Sequence, residues 1–116
     1  MPYSEFLADR VRSRLKNQPN VEEKKMMGGL IFMVDQKMCI GVDKDRKTGE
    51  DRIMVRVGKA VYLPLLEKKG CREMDFTGKP MKGFLFVYSE GIDFEADLDF
   101  WVEKALEFNV LAQKSK

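Results

Sequence analysis

The 116 residues predict one α+β domain, with helices packed on a mainly antiparallel sheet in the order helix, three strands, short helix, two strands, long helix. Three observations carry this prediction. Apolar residues recur at helical spacing near both ends of the chain: Leu7, Val11 and Leu15, then Phe94, Leu98, Trp101, Val102, Ala105 and Leu106. Between them lie short apolar or alternating runs divided by glycine, proline and charged turns. Composition is 44% hydrophobic and 34% charged, enough apolar surface for one core in a chain of this length, so disorder is excluded.

The first helix is expected over Tyr3 to Asn17, with Ser4 as its N-cap. Arg10 and Arg14 fall on one flank and Arg12 and Lys16 on the other. Asn17-Gln18-Pro19-Asn20 should end it, because proline disfavours helix in the residue before it. Val21 to Met26 is a charged approach, strand or loop. After Gly28-Gly29, the five apolar residues Leu30 to Val34 read as a strand covered on both faces. Asp35-Gln36-Lys37 is a hairpin connection, and Met38, Ile40 and Val42 give the second strand.

The polar run Asp43 to Asp51 reads as an exposed loop. In the third strand Ile53, Val55 and Val57 alternate with Arg52, Met54 and Arg56, which suggests one buried and one wet face. Lys59 to Lys68 fits a short helix that Pro64 starts or kinks, with Gly70 as its stop. Strands follow at Cys71 to Phe76 and Gly83 to Val87, joined across Thr77-Gly78-Lys79-Pro80. The closing helix runs from about Asp93 to Leu111, and residues 112–116 are a frayed tail. No repeat or linker divides residues 1–116, so they are read as one domain.

Net charge is +2, which implies no nucleic-acid partner by itself. Its distribution is uneven. Residues 1–87 hold 18 basic and 12 acidic residues, whereas residues 88–116 hold 3 and 7. The acidic stretch reads first as a solvated helix with carboxylates near its N-terminus, and second as a contact surface for a basic partner, a second copy included. The N-terminus lacks the apolar core of a secretory leader and no run reaches transmembrane length, so a cytoplasmic protein with no membrane contact is expected.

Enzyme chemistry finds little support. The chain has no histidine, the usual acid–base group at neutral pH. Cys39 and Cys71 are 32 residues apart and form no normal zinc site; no metal or cofactor is expected. Lys69 and Arg72 flank Cys71 and would activate its thiol in a favourable geometry, but a plain half-buried thiol is the better reading. Glu73 and Asp75 share a strand face, a spacing that arises constantly by chance.

Candidate interaction residues fall in three places. Lys24, Lys25, Gly28 and Gly29 open a strand; phosphate loops open helices, so a bulge or close packing is the plainer account of the glycines. Thr77, Gly78, Lys79, Lys82 and Gly83 form a turn with two lysines, either structural or a recognition loop. Asp97 and Asp99 represent the acidic last helix. Arg10, Arg12, Arg14, Lys16, Lys24 and Lys25 make a basic ridge around the first helix. Phe32, Phe76, Phe84, Phe86, Phe94 and Trp101 fall on apolar faces, so they read as core rather than as stacking platforms.

Three separated segments, Met26-Met27-Gly28-Gly29-Leu30-Ile31-Phe32, Met74 to Gly83, and Trp101-Val102-Glu103-Lys104-Ala105-Leu106, together resemble the N-terminal domain of the TfoX/Sxy family. The resemblance implies a stand-alone copy of that domain, without the second helical domain many members carry. It also implies a non-enzymatic regulator of bacterial competence that acts through protein contacts, with a transcription activator as the implied partner. The residues leave three readings open: a protein-interaction domain that also allows a homodimer, a weak nucleic-acid-binding module on the basic ridge, and, with least support, a small enzyme or ligand-binding protein.

Overall fold

In a computed structural model that describes residues 3–26, 28–75, 78 and 81–112, the first helix, α1, covers Glu5–Leu15. Ser4 Oγ accepts from Leu7 N at 3.1 Å and so caps one of the helix's free donors. The stripe Leu7, Val11 and Leu15 is buried. Strands β1 (Val21–Met26), β2 (Gly29–Val34), β3 (Lys37–Lys44) and β4 (Asp51–Arg56) follow. Then come helix α2 (Tyr62–Leu66), strands β5 (Cys71–Glu73) and β6 (Phe84–Tyr88), a 3-10 turn at Ser89–Gly91, and helix α3 (Glu95–Asn109). The described strands make one six-stranded sheet, ordered β1-β2-β3-β4-β6-β5, with every neighbour antiparallel. The expected α+β class holds.

Four strands precede α2 where the sequence pointed to three. The charged segment Val21–Met26 pairs with β2 along its whole length, from Val21 opposite Val34 to Met26 opposite Gly29. An edge strand bonds on one side only, and here Glu22 to Met26 are exposed, so no apolar alternation marks it. Pro64 is the third residue of α2, where a missing N–H costs no helical bond.

All three helices contribute to the core on one face of the sheet. Leu7, Val11 and Leu15 of α1, Tyr62 and Leu65 of α2, and Leu98, Trp101, Val102 and Ala105 of α3 meet Leu30, Phe32, Ile40, Val42, Ile53, Val55, Leu85 and Val87. Trp101 lies at the centre, with Phe100 edge-on at 5.1 Å between ring centroids. Phe94, expected on the apolar face, is 70% exposed: it is the N-cap residue of α3 and stands before the helical stripe begins.

Among the described residues the opposite face carries no helix, yet it is also largely buried. Ile31, Met33, Met54, Met74, Phe86 and Tyr88 form a second apolar cluster. Gly41 lets that layer close up, because a Cβ there would sit 2.8 Å from Ile31 Cδ1. The half-wet strand expected at 52–57 is therefore covered on both faces: Arg52 and Met54 are only 9% and 4% exposed.

The two aromatic positions of α3 separate cleanly in energy. Trp101→Ala should cost about 3–5 kcal/mol of unfolding free energy, and Phe94→Ala less than about 0.5 kcal/mol. Urea unfolding curves of the two variants check the ordering.

Candidate functional site

Antiparallel register alone builds the site. On the helix-free face, Asp43 of β3 lies opposite Arg52 of β4, which lies opposite Tyr88 of β6. One row along, Gly41 faces Met54, Met54 faces Phe86, and Phe86 faces Arg72 of β5. The Arg52 guanidinium lies across the Phe86 ring, 3.6 Å from its centroid. Its Nε and Nη2 donate to the two oxygens of Asp43 at 2.8 and 3.0 Å, and Nη1 donates to Tyr88 Oη at 2.8 Å. Tyr88 Oη in turn donates to Asp45 Oδ2 at 2.6 Å.

Asp45 carries this network into the β3–β4 loop. Its Oδ1 accepts from Lys47 N at 2.7 Å and Thr48 N at 3.2 Å, and Gly49 N donates to its carbonyl at 2.8 Å. The polar run 43–51 is thus two strand ends and a short tied loop rather than one exposed loop. The Tyr88 hydrogen bond, followed by the loop amides, holds the Asp45 carboxyl down at about 2. Burial raises the Tyr88 phenol, and its bond to Asp45 adds to the shift.

The loop and β5 border an open cleft of about 860 Å³ on this face, with Arg52, Phe86 and Tyr88 on its floor. Arg46 and Lys47 stand on one rim. Arg72, Glu73 and Asp75 stand on the other, with Arg72 stacked over Tyr88 at 4.7 Å. Arg46, Lys47 and Arg72 have no carboxylate partner among the described residues. No group of three or more metal-binding side chains occurs among the described residues. The Cys71 thiol is pushed up to about 12 by burial, a shift that Lys68 only partly opposes, so its basic neighbours in sequence do not activate it.

The candidate residues read from the sequence scatter. Gly28 is exposed at the cleft, with φ +77°, a conformation that favours glycine. Gly29 starts β2 where a Cβ would lie 2.5 Å from Val42 O, so close backbone approach is its role. Lys24 and Lys25 are exposed on β1. Gly83 is buried, and its carbonyl accepts from Val57 N and Gly58 N at 2.8 and 3.1 Å. Gly78 and Lys82 are exposed, while Thr77 and Lys79, with Phe76, lie outside the described residues.

The basic ridge around α1 is only half free: its arginines are paired within the chain, whereas Lys16, Lys24 and Lys25 are exposed with no ion pair among the described residues. Arg10 and Arg14 both donate to Glu95 Oε1, at 3.0 and 2.8 Å, and Arg14 Nε donates to Asp99 at 2.6 Å. Arg12 pairs with Asp9 and Glu23. Arg10 and then Arg14 hold the Glu95 carboxyl below the usual carboxylate range. The acidic last helix thus has its basic partner within the chain; Asp99 is engaged there, and Asp97 sits half-buried in the first turn of α3.

Arg52, Asp43, Asp45 and Tyr88 were not singled out from the sequence. The available signal was the order of charges in Asp43-Lys44-Asp45 and Asp51-Arg52, which places an arginine across from an aspartate once the two strands are joined as a hairpin.

Removing the cation alone should be costly, because Asp43 and Tyr88 Oη would lose their buried partner: Arg52→Ala should lower stability by about 3 kcal/mol in urea unfolding. Acid dependence tests the Asp45 bond. Its folded value lies below the ordinary 3.8, so the stability it adds is present above about pH 4 and is lost as pH falls from about 4 to about 2. Tyr88→Phe removes the largest cause of that shift, so its unfolding midpoint should fall less steeply than wild type between pH 5 and pH 2.5.

Comparison with known proteins agrees with the architecture. The family profile of the TfoX N-terminal domain matches residues 13–109. No curated protein matches the chain. A crystal structure of a protein from Pseudomonas syringae shares the fold with a TM-score of 0.61 at 12% identity, covering 84% of this chain and 93% of that one. That likeness shows the fold alone. With about four fifths of its length matched by one family, the chain belongs to the TfoX N-terminal domain family.

Proposed function

We propose that this chain is a non-enzymatic regulatory domain that works by binding another protein, and that the cleft on the helix-free face is where the partner sits. One observation carries the reading. Arg46, Lys47 and Arg72, which have no carboxylate partner among the described residues, surround an open cleft, while all three arginines of α1 are held by carboxylates of the same chain. The cleft is also rigid at its floor and loop-built at its rim, the arrangement in which loops on a fixed scaffold carry binding. Glu73 and Asp75 on the other rim make it two-signed, which suits a peptide surface with both charges better than a polyanion. Asp45 is held at about 2 and Tyr88 is raised, so neither is poised for proton transfer near neutral pH.

Membership of the TfoX N-terminal domain family supports a regulatory role, with a transcription activator as the implied partner. The alternative, weak nucleic-acid binding through α1, loses support because Arg10, Arg12 and Arg14 are already neutralised.

Photo-crosslinking from positions 46 and 72 in producing cells, followed by titration with the purified partner, tests the proposal. Arg46→Glu and Arg72→Glu should each weaken that complex at least about tenfold, while Glu103→Lys on the exposed side of α3 leaves it unchanged. Equal affinity for all four proteins would overturn the assignment of the cleft. Micromolar binding of a generic DNA duplex that falls steeply between 50 and 200 mM salt would instead favour the nucleic-acid reading.

A further inference from the structure

Strand β1 ends the sheet, and its outer side has no strand beside it among the described residues. Which backbone groups face outward follows from one bond. Asp35 N donates to Asn20 O at 3.0 Å, and residue 20 continues the register in which Val21 faces Val34. Alternation along an antiparallel ladder then directs Glu22, Lys24 and Met26 to bond β2, and points the N–H and C=O of Val21, Glu23 and Lys25 away from the sheet.

Side chains alternate the other way, between faces. Glu23 lies beside α1, where Arg12 holds it at 2.6 and 2.7 Å. Glu22 and Lys24 lie opposite Met33 and Ile31, on the helix-free face, and neither has a partner among the described residues. Charge on an edge strand usually blocks pairing by setting like charges against each other. Here the order Glu22, Glu23, Lys24, Lys25 does the opposite when two copies meet antiparallel.

We propose that β1 is a self-pairing edge: two copies of the chain join β1 to β1, antiparallel about a twofold axis at Glu23, with Glu22 of each copy opposite Lys24 of the other. This register meets both requirements. Its hydrogen-bonded pairs are Val21 with Lys25 and Glu23 with Glu23, all outward-facing residues, giving about six bonds between chains. The helix-free face gains two ion pairs. The one like-charged pair, Glu23 with Glu23, is compensated by Arg12 of each copy. The neighbouring register, centred on Lys24, also forms two opposite-charge pairs, Glu23 with Lys25, but it draws on a Glu23 that Arg12 already holds, sets two uncompensated lysines together and places Glu22 against Met26. The joined edges would form one continuous sheet of twelve strands. A single strand pair is a small interface, so the dimer is weak and sensitive to salt.

The test uses charge reversals at exposed positions, which leave the fold intact; circular dichroism checks this. Sedimentation velocity at low salt, over about 10 to 500 µM, should show a monomer–dimer equilibrium for wild type that weakens as salt is raised. Glu22→Lys alone and Lys24→Glu alone should each be monomeric over the same range, because each sets like charges together twice. Mixing the two variants should restore the dimer, since both 22–24 pairs are again opposite in sign. A wild-type monomer at 500 µM overturns the proposal. So does a dimer that survives both reversals, which would place the interface elsewhere. A Glu22→Lys variant that still dimerises overturns the pairing stated here, whatever Lys24→Glu does, because Glu22 would then not face Lys24.

Discussion

A guanidinium buried on a sheet face that no helix covers must find its partners among the strands themselves. Arg52 does so in three directions: Asp43 on β3, Tyr88 on β6, and the Phe86 ring beneath it. Those contacts tie the central strands together on the side away from the helices, and through Tyr88 and Asp45 they fix the β3–β4 loop. An unpaired cation in this place would cost far more than the pairing gains, so the rest of the face is organised around keeping it matched. The cleft floor, the loop conformation and the packing of the second apolar cluster all follow from that requirement.

The two faces of the sheet are stabilised by different physics. On the helical side, burial of leucine, valine, isoleucine and tryptophan dominates, and charge enters only at the margin, where Arg10 and Arg14 clamp α1 to Glu95 and Asp99 of α3. Those exposed pairs add little stability each but orient the two helices. On the other side, methionines and aromatics pack beneath stacked arginines, with Arg52 over Phe86 and Arg72 over Tyr88. Flexible methionine side chains suit an irregular layer that lacks a helix to set its shape. The uneven charge of the chain is therefore largely an internal matter, which shifts attention from α1 and α3 to the loop and edge positions that remain unmatched.

Apolar period made most of the fold legible. The stripe Leu7, Val11, Leu15, the run Leu30 to Val34 and the face around Trp101 each sit where spacing placed them, and Ser4 caps as expected. What the sequence hid was hidden for definite reasons. β1 is an edge whose side chains are nearly all exposed, so it lacks alternation. Arg52 looks like a solvent-facing residue in an alternating strand, and only the cross-strand register brings Asp43 and Tyr88 to it. Arg10 and Arg14 of α1 read as part of a free ridge because their partners lie more than 80 residues away. Spacing along a chain reports which side a residue takes, but not what meets it there.

Membership of the TfoX N-terminal domain family supplies the setting for this architecture, and the Arg52 row gives it a physical centre. A double-mutant cycle between Asp43→Asn and Arg52→Met, read from urea unfolding at pH 7, tests that centre most directly. The account predicts a coupling of at least about 1.5 kcal/mol, as befits a buried two-pronged pair. A coupling below about 0.3 kcal/mol would mean that the pair behaves like an exposed one, and that something other than Arg52 holds this face together.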